Sequence, residues 1–188
     1  MNAAAPREAW RRTLHLASGS LGVLWYLRVP APTVTTILLS LLALAVALEW
    51  LRRTSPRARA ALERASLGAL RPAEQRGVTG ATLLAAGYAA TWLFFPASAA
   101  APAILVTAVA DPAAALVGVR FGVRGRKTWA GSAAALAAAL LVLLVQGIAA
   151  GRSLAAALVA ALAERAGPRG LDNLVMPALT AAALAVWR

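Results

Sequence analysis

The chain has 188 residues, 61% hydrophobic and only 14% charged, with a mean hydropathy of +0.70; a soluble domain carries roughly a quarter charged residues, so this one has more apolar surface than it can hide within itself. It contains no cysteine, which excludes disulfides and thiolate metal sites. Nineteen basic residues against seven acidic give +12, but the basic ones lie between apolar runs, the pattern of membrane topology and of attraction to anionic head groups or phosphates, not of a nucleic-acid partner.

In chain order, the first apolar run covers 14–29 and is closed by Pro30-Ala31-Pro32. The second, 33–51, ends in Arg52-Arg53. A basic segment follows at 52–77 with seven arginines, Pro56 and Pro72, and is expected to hold an interfacial helix around 58–70. The third run, 78–95, stops at Pro96; the fourth covers 100–119. A basic, glycine-rich loop, 120–128, leads to a fifth run at 129–150. A short apolar stretch, 154–163, a polar loop, 164–173, and a last run, 174–187, complete the chain. Crossing a bilayer takes ~20 helical residues, with ~17 as a practical minimum. The expectation is a single all-α domain over 1–188, a polytopic transmembrane bundle of six or seven helices, with the crossing of 154–163 left open. Arg11-Arg12 ahead of an apolar stretch loosely resembles a twin-arginine signal. The polytopic remainder favours a first membrane helix there instead.

With the N-terminus cytoplasmic and all seven segments crossing, sixteen of the nineteen basic residues fall on the cytoplasmic side, leaving Arg28, Arg152 and Arg188 outside. If 154–163 does not cross, the division is fifteen to four. The expected location is therefore a bacterial-type inner or plasma membrane, with a cytoplasmic N-terminus.

Eighteen of the basic residues are Arg and one, Lys127, is Lys; there is one His (His15), and the only Asp residues are Asp111 and Asp172. In this topology the uncommon polar side chains gather at the cytoplasmic surface: His15, Glu49, Thr79-Gly80, Asp111, Lys127-Thr128, Ser132 and Asp172-Asn173. Asp111 lies eight residues before the end of its run, about 12 Å deep at 1.5 Å per residue. A carboxylate there costs a few kcal/mol unless paired, ligated or wet. It reads either as a structural ion pair or helix-bending Asp-Pro, or as a metal ligand or catalytic carboxylate. Gly118 and Gly122 share a helix face, which by itself suits close helix packing. Lys127-Thr128 and Gly131-Ser132 place donors where a helix begins, and its free N–H groups and dipole favour an anion. Arg126 separates Gly125 from Lys127, so this is no Walker A loop. Asp172-Asn173 suits Mg²⁺, which takes few protein ligands plus water and phosphate oxygens, and equally suits a helix N-cap. Glu164 reads as a solvated loop charge, and Glu49 with Arg52 as a helix-end ion pair.

The blocks Asp111-x-x-Ala114-x-x-x-Gly118-x-x-x-Gly122, Lys127-Thr128-x-x-Gly131-Ser132 and Asp172-Asn173-x-x-x-Pro177 make the chain similar to the CTP-dependent polyprenol and lipid kinases, among them dolichol, phytol and diacylglycerol kinases. These are relatives of phosphatidate cytidylyltransferase. Weaker matches are Arg11-Arg12-x-x-His15 and Thr79-Gly80-Ala81-Thr82. Family members often have Ser at the Thr128 position and many have Gly where Ala110 precedes Asp111. The resemblance implies transfer of the γ-phosphoryl group of CTP to a membrane lipid alcohol, with Mg²⁺ as cofactor. It implies Asp111 and Asp172 as carboxylates for Mg²⁺ and nucleotide, one of them also the base. Lys127 would hold the triphosphate with help from Thr128 and Ser132, and Gly118, Gly122, Gly131, Asn173 and His15 would line the nucleotide site.

Two other activities fit less well. A phosphatidate cytidylyltransferase is expected to carry His-Gly-Gly and a late Asp-Arg-x-Asp, and neither occurs. A small cation-coupled transporter would place its polar groups near the midplane and show inverted repeats. The acceptor lipid, CTP against ATP, and the division of labour between the two Asp residues stay open at this level.

Overall fold

A computed structural model describes residues 13, 15–65, 74, 77–121, 127–168 and 170–186, and their regular structure is all helical, with no strand among the described residues. The helices are α1 (15–26, tightening to a 3₁₀ turn at Ser20–Gly22), α2 (Ala31–Thr54), α3 (Pro56–Ala65), α4 (Gly80–Phe94), α5 (Ala97–Phe121), α6 (Trp129–Val145), α7 (Ala150–Ala166) and α8 (Asp172–Val186). Two of them, α2 and α5, are long and apolar enough to cross a membrane; α4, α6 and α8 are shorter apolar helices.

Side-chain contacts define the two ends of the bundle. At one end the Trp92 indole donates to Thr35 Oγ1 at 3.0 Å, the Tyr26 hydroxyl bonds the Gln146 side chain, and the Arg152 guanidinium bonds the Leu184 carbonyl. At the other, the Thr79 N–H donates to Glu49 at 3.2 Å, the Asn173 amide donates to the Gly80 carbonyl at 3.1 Å, and Lys127 donates to Asp172 at 3.0 Å. Apart from the peripheral α3, successive helices therefore run up and down between these ends. The stretch 154–163 belongs to α7, which runs the length of the bundle beside α6 and α8.

Two clusters form the core, one rich in alanine and one in larger side chains, and α5 contributes to both. One joins α5 to α6, α7 and α8 through residues such as Val106, Ala139, Ala160 and Met176; the other joins it to α2 and α4 through Leu38, Tyr88, Trp92 and Ile104. Small side chains let the backbones approach closely. A Cβ on Gly19 of α1 would lie 1.7 Å from Ala108 Cβ of α5, so only glycine permits that contact.

Boundaries depart from the hydropathy runs where local hydrogen bonding overrides them. The run at 129–150 is cut at Val145: Gly147 takes φ +75°, its N–H bonds the Leu144 carbonyl, and the Ile148 N–H returns to Leu143. That is a Schellman-type end. Gly151 and Arg152, expected to separate two runs, lie in the first turn of α7. Within the stretch 58–70, where an interfacial helix is expected, the structure has the helix α3, Pro56–Ala65, and 66–70 lies outside the described residues.

Candidate functional site

Three helices deliver carboxylates to one place. Asp111 comes from the second half of α5, Glu164 from the last turn of α7 and Asp172 from the first residue of α8. One oxygen from each lies within 4.8 Å of the others. Asp111 is half-buried, and Glu164 and Asp172 are buried. Lys127 precedes α6 and enters from a fourth direction. Its Nζ donates to Asp172 Oδ2 at 3.0 Å, lies 3.5 Å from Glu164 Oε1 and bonds the Glu164 main-chain carbonyl. His15 of α1 completes the ring, its Nδ1 3.5 Å from Asp111 Oδ2.

The remaining oxygens are unequally engaged. Asp172 Oδ1 accepts from the Gly170 N–H at 2.9 Å and the Asn173 N–H at 3.1 Å, which fixes the carboxylate at the start of α8. Glu164 Oε2 is buried with no hydrogen-bond partner among the described residues. An orphaned buried carboxylate oxygen is costly and calls for an explanation such as an ion. Among the described residues, the Lys127 ammonium pairs with two of the three carboxylates, Glu164 and Asp172, while Asp111 lies against His15. Hard oxygen donors with two buried and one half-open member suit Mg²⁺, which keeps several waters and phosphate oxygens in its shell.

Other residues singled out by sequence support the frame. Thr128 is the N-cap of α6, its Oγ1 accepting from the Gly131 N–H at 3.0 Å. A Cβ on Gly131 would lie 2.8 Å from the Ala114 carbonyl, and one on Gly118 would lie 3.3 Å from Thr128 Oγ1. Gly118, Thr128 and Gly131 thus fill one another's space and hold α5 against α6. Ser132 donates to the Thr128 carbonyl at 3.3 Å and accepts from Arg165 at 3.4 Å, while the Arg165 guanidinium stacks 3.5 Å from the Trp129 ring centroid. Asn173 clamps α8 to α4 through the Gly80 carbonyl. Gly122 lies outside the described residues. Glu49 is the helix-end ion pair expected, 2.5 Å from Arg52 and 2.7 Å from Arg53, and it also takes the Thr79 N–H that begins α4.

Glu164 is the member that reading the sequence misplaced: it is buried in the cluster, not solvated in a loop. The signal lay in the helical spacing of Ala156, Ala160 and Glu164, a stripe that continues the buried face of α7 through the loop boundary drawn at Ala163.

The N-termini of α4, α6 and α8 all open at this end of the bundle, where aligned peptide dipoles and free N–H groups favour anions. The arrangement can therefore hold a divalent cation, neutralise phosphate oxygens beside Lys127 and accept a proton on a carboxylate. Comparison with protein-family models, with curated proteins and with solved structures finds no match.

Proposed function

We propose that the chain is an integral membrane phosphotransferase that moves the γ-phosphoryl group of CTP to the hydroxyl of a membrane lipid alcohol. The observation that carries this reading is the meeting of Asp111, Glu164, Asp172 and Lys127 at one end of an apolar bundle. Phosphoryl transfer asks little of a protein beyond a metal, cations on the phosphates and an acceptor for one proton.

Asp111 and Asp172 would hold Mg²⁺, which would neutralise charge on the triphosphate. Lys127 holds phosphate oxygens as a point charge. A carboxylate of the cluster takes the proton from the lipid hydroxyl as its oxygen bonds the γ-phosphorus. The bond to the β-phosphate oxygen breaks, and CDP leaves with that electron pair. The apolar helices lie in the bilayer with the cluster and the N-terminus on the cytoplasmic side, so the lipid alcohol enters from the membrane and the nucleotide from water. Exposed Leu44, Val46 and Trp50 on α2 and Leu141 and Val145 on α6 support this placement, since exposed apolar stripes of this extent need a non-aqueous neighbour.

The test supplies purified protein with Mg²⁺, labelled CTP or ATP, and a panel of isoprenoid alcohols, diacylglycerol and phosphatidate. Lipid phosphate plus CDP is the expected product pair. CDP-lipid plus pyrophosphate would instead make it a cytidylyltransferase. Asp111→Asn and Asp172→Asn are each expected to lower turnover at least ~100-fold; intact turnover in either would remove that residue from the site.

A further inference from the structure

Two adjoining cavities, lined by none of Asp111, Glu164 and Asp172, lie around the junction of α2 and α3. The apolar one is a groove of about 250 Å³ walled by Leu41, Leu44 and Leu48 of α2, Leu62 of α3 and Ala81 and Thr82 of α4. From Leu41 to Leu48 it follows α2 for about 10 Å at 1.5 Å per residue. The polar one is a pocket of about 240 Å³ lined by Arg52, Arg53, Arg59 and Glu63, with Thr54 and Pro56 at the turn.

Arg52 lines both cavities, so the slot and the pocket meet at one residue. It is buried and held by Glu49 at 2.5 Å and by the Gly77 carbonyl at 2.7 Å, which makes it a fixed wall between them. Arg53 and Arg59 are exposed on the pocket side, and Arg57 and Arg64 add charge along the same short helix. Glu49 and Glu63 offset part of this, and the surroundings stay basic. An apolar slot ending in an arginine-lined pocket matches a molecule with a hydrocarbon tail and an anionic head.

We infer that α2, α3 and α4 form a binding site for one anionic phospholipid, its acyl chain along Leu41–Leu48 and its phosphate on Arg53 and Arg59. Clusters of basic residues just cytoplasmic of a membrane helix attract such head groups, at roughly 1 kcal/mol for each. A neutral lipid alcohol would use the slot and leave the pocket without a partner, so the charge favours the phospholipid. The inference rests on the bilayer placement proposed above and is independent of phosphoryl transfer.

The full chain, delipidated in neutral detergent, is given equal amounts of dioleoyl phosphatidylglycerol and phosphatidylcholine, and retained lipids are counted by native mass spectrometry. One phosphatidylglycerol per chain is expected, in preference to phosphatidylcholine. Arg53→Ala with Arg59→Ala should lower its retention roughly 30-fold, whereas Arg53→Lys with Arg59→Lys should keep it. Ala45→Phe, which fills the slot, should weaken both lipids. Equal retention of the two lipids by the wild type overturns the inference, as does displacement by glycerol phosphate alone or by a neutral isoprenoid alcohol. Retention of no lipid at all would count against the bilayer placement itself. The wild-type competition decides the matter even where a variant fails to fold.

Discussion

Exchanging the Glu164 carboxylate for an amide removes one negative charge from a cluster whose three carboxylates lie within 4.8 Å, while keeping its shape. If Glu164 Oε2 is aimed at a cation, Glu164→Gln should raise the Mg²⁺ concentration for half-maximal turnover at least about tenfold. An unchanged Mg²⁺ dependence would leave Glu164 only as the partner of Lys127. Much of this cluster is legible in the amino-acid sequence, because Asp111, Lys127, Asp172 and His15 are residue types rare in a chain dominated by Ala, Leu and Arg. Rarity located them, and the helix register brought them together. The same logic failed for Glu164, one of five glutamates, because polar residues near a glycine read as loop. Thr128 and Gly131 also serve the frame, through a helix cap and a close helix contact.

Helix ends carry the next level of information. The turn after α1 places Arg28 at φ 58°, with its N–H on Trp25 and the Val29 N–H reaching back to Leu24. An L-residue pays for the left-handed region with roughly 1–2 kcal/mol, and glycine avoids most of it. Arg28→Gly should therefore stabilise the fold by about 1 kcal/mol, read as a higher melting temperature in mild detergent; a lower one would mean that the Arg28 side chain makes a compensating contact. Hydropathy found nearly every helix but misdrew α6 and α7, since Gly147 ends one helix through backbone hydrogen bonds that an apolar run does not reveal. The 17 residues of α7 take in a first turn with Gly151 and Arg152 and a last turn with Glu164 and Arg165, both of which the apolar run 154–163 leaves out.

Over the whole molecule, the up-and-down order of the helices puts the carboxylate cluster and the arginine-rich α2–α3 turn at one end, and Gly147 and Arg152 at the other. The absence of native cysteine makes this testable by single substitutions. Arg59→Cys should react with a membrane-impermeant maleimide only in inverted vesicles, and Gly151→Cys, with nothing within 4 Å of its added Cβ, only in intact cells. Labelling of both from one side would contradict the placement. The all-α class was readable from the long apolar runs, whereas the packing of α5 between two clusters was not, since its many alanines look alike on every face. The most direct test of the account is Mn²⁺ binding to the purified protein with CTP, followed by electron paramagnetic resonance. Protein-bound Mn²⁺ is expected in the wild type and should be lost in both Asp111→Asn and Asp172→Asn; binding that survives both substitutions, or none in the wild type, would rule out a metal site on these carboxylates.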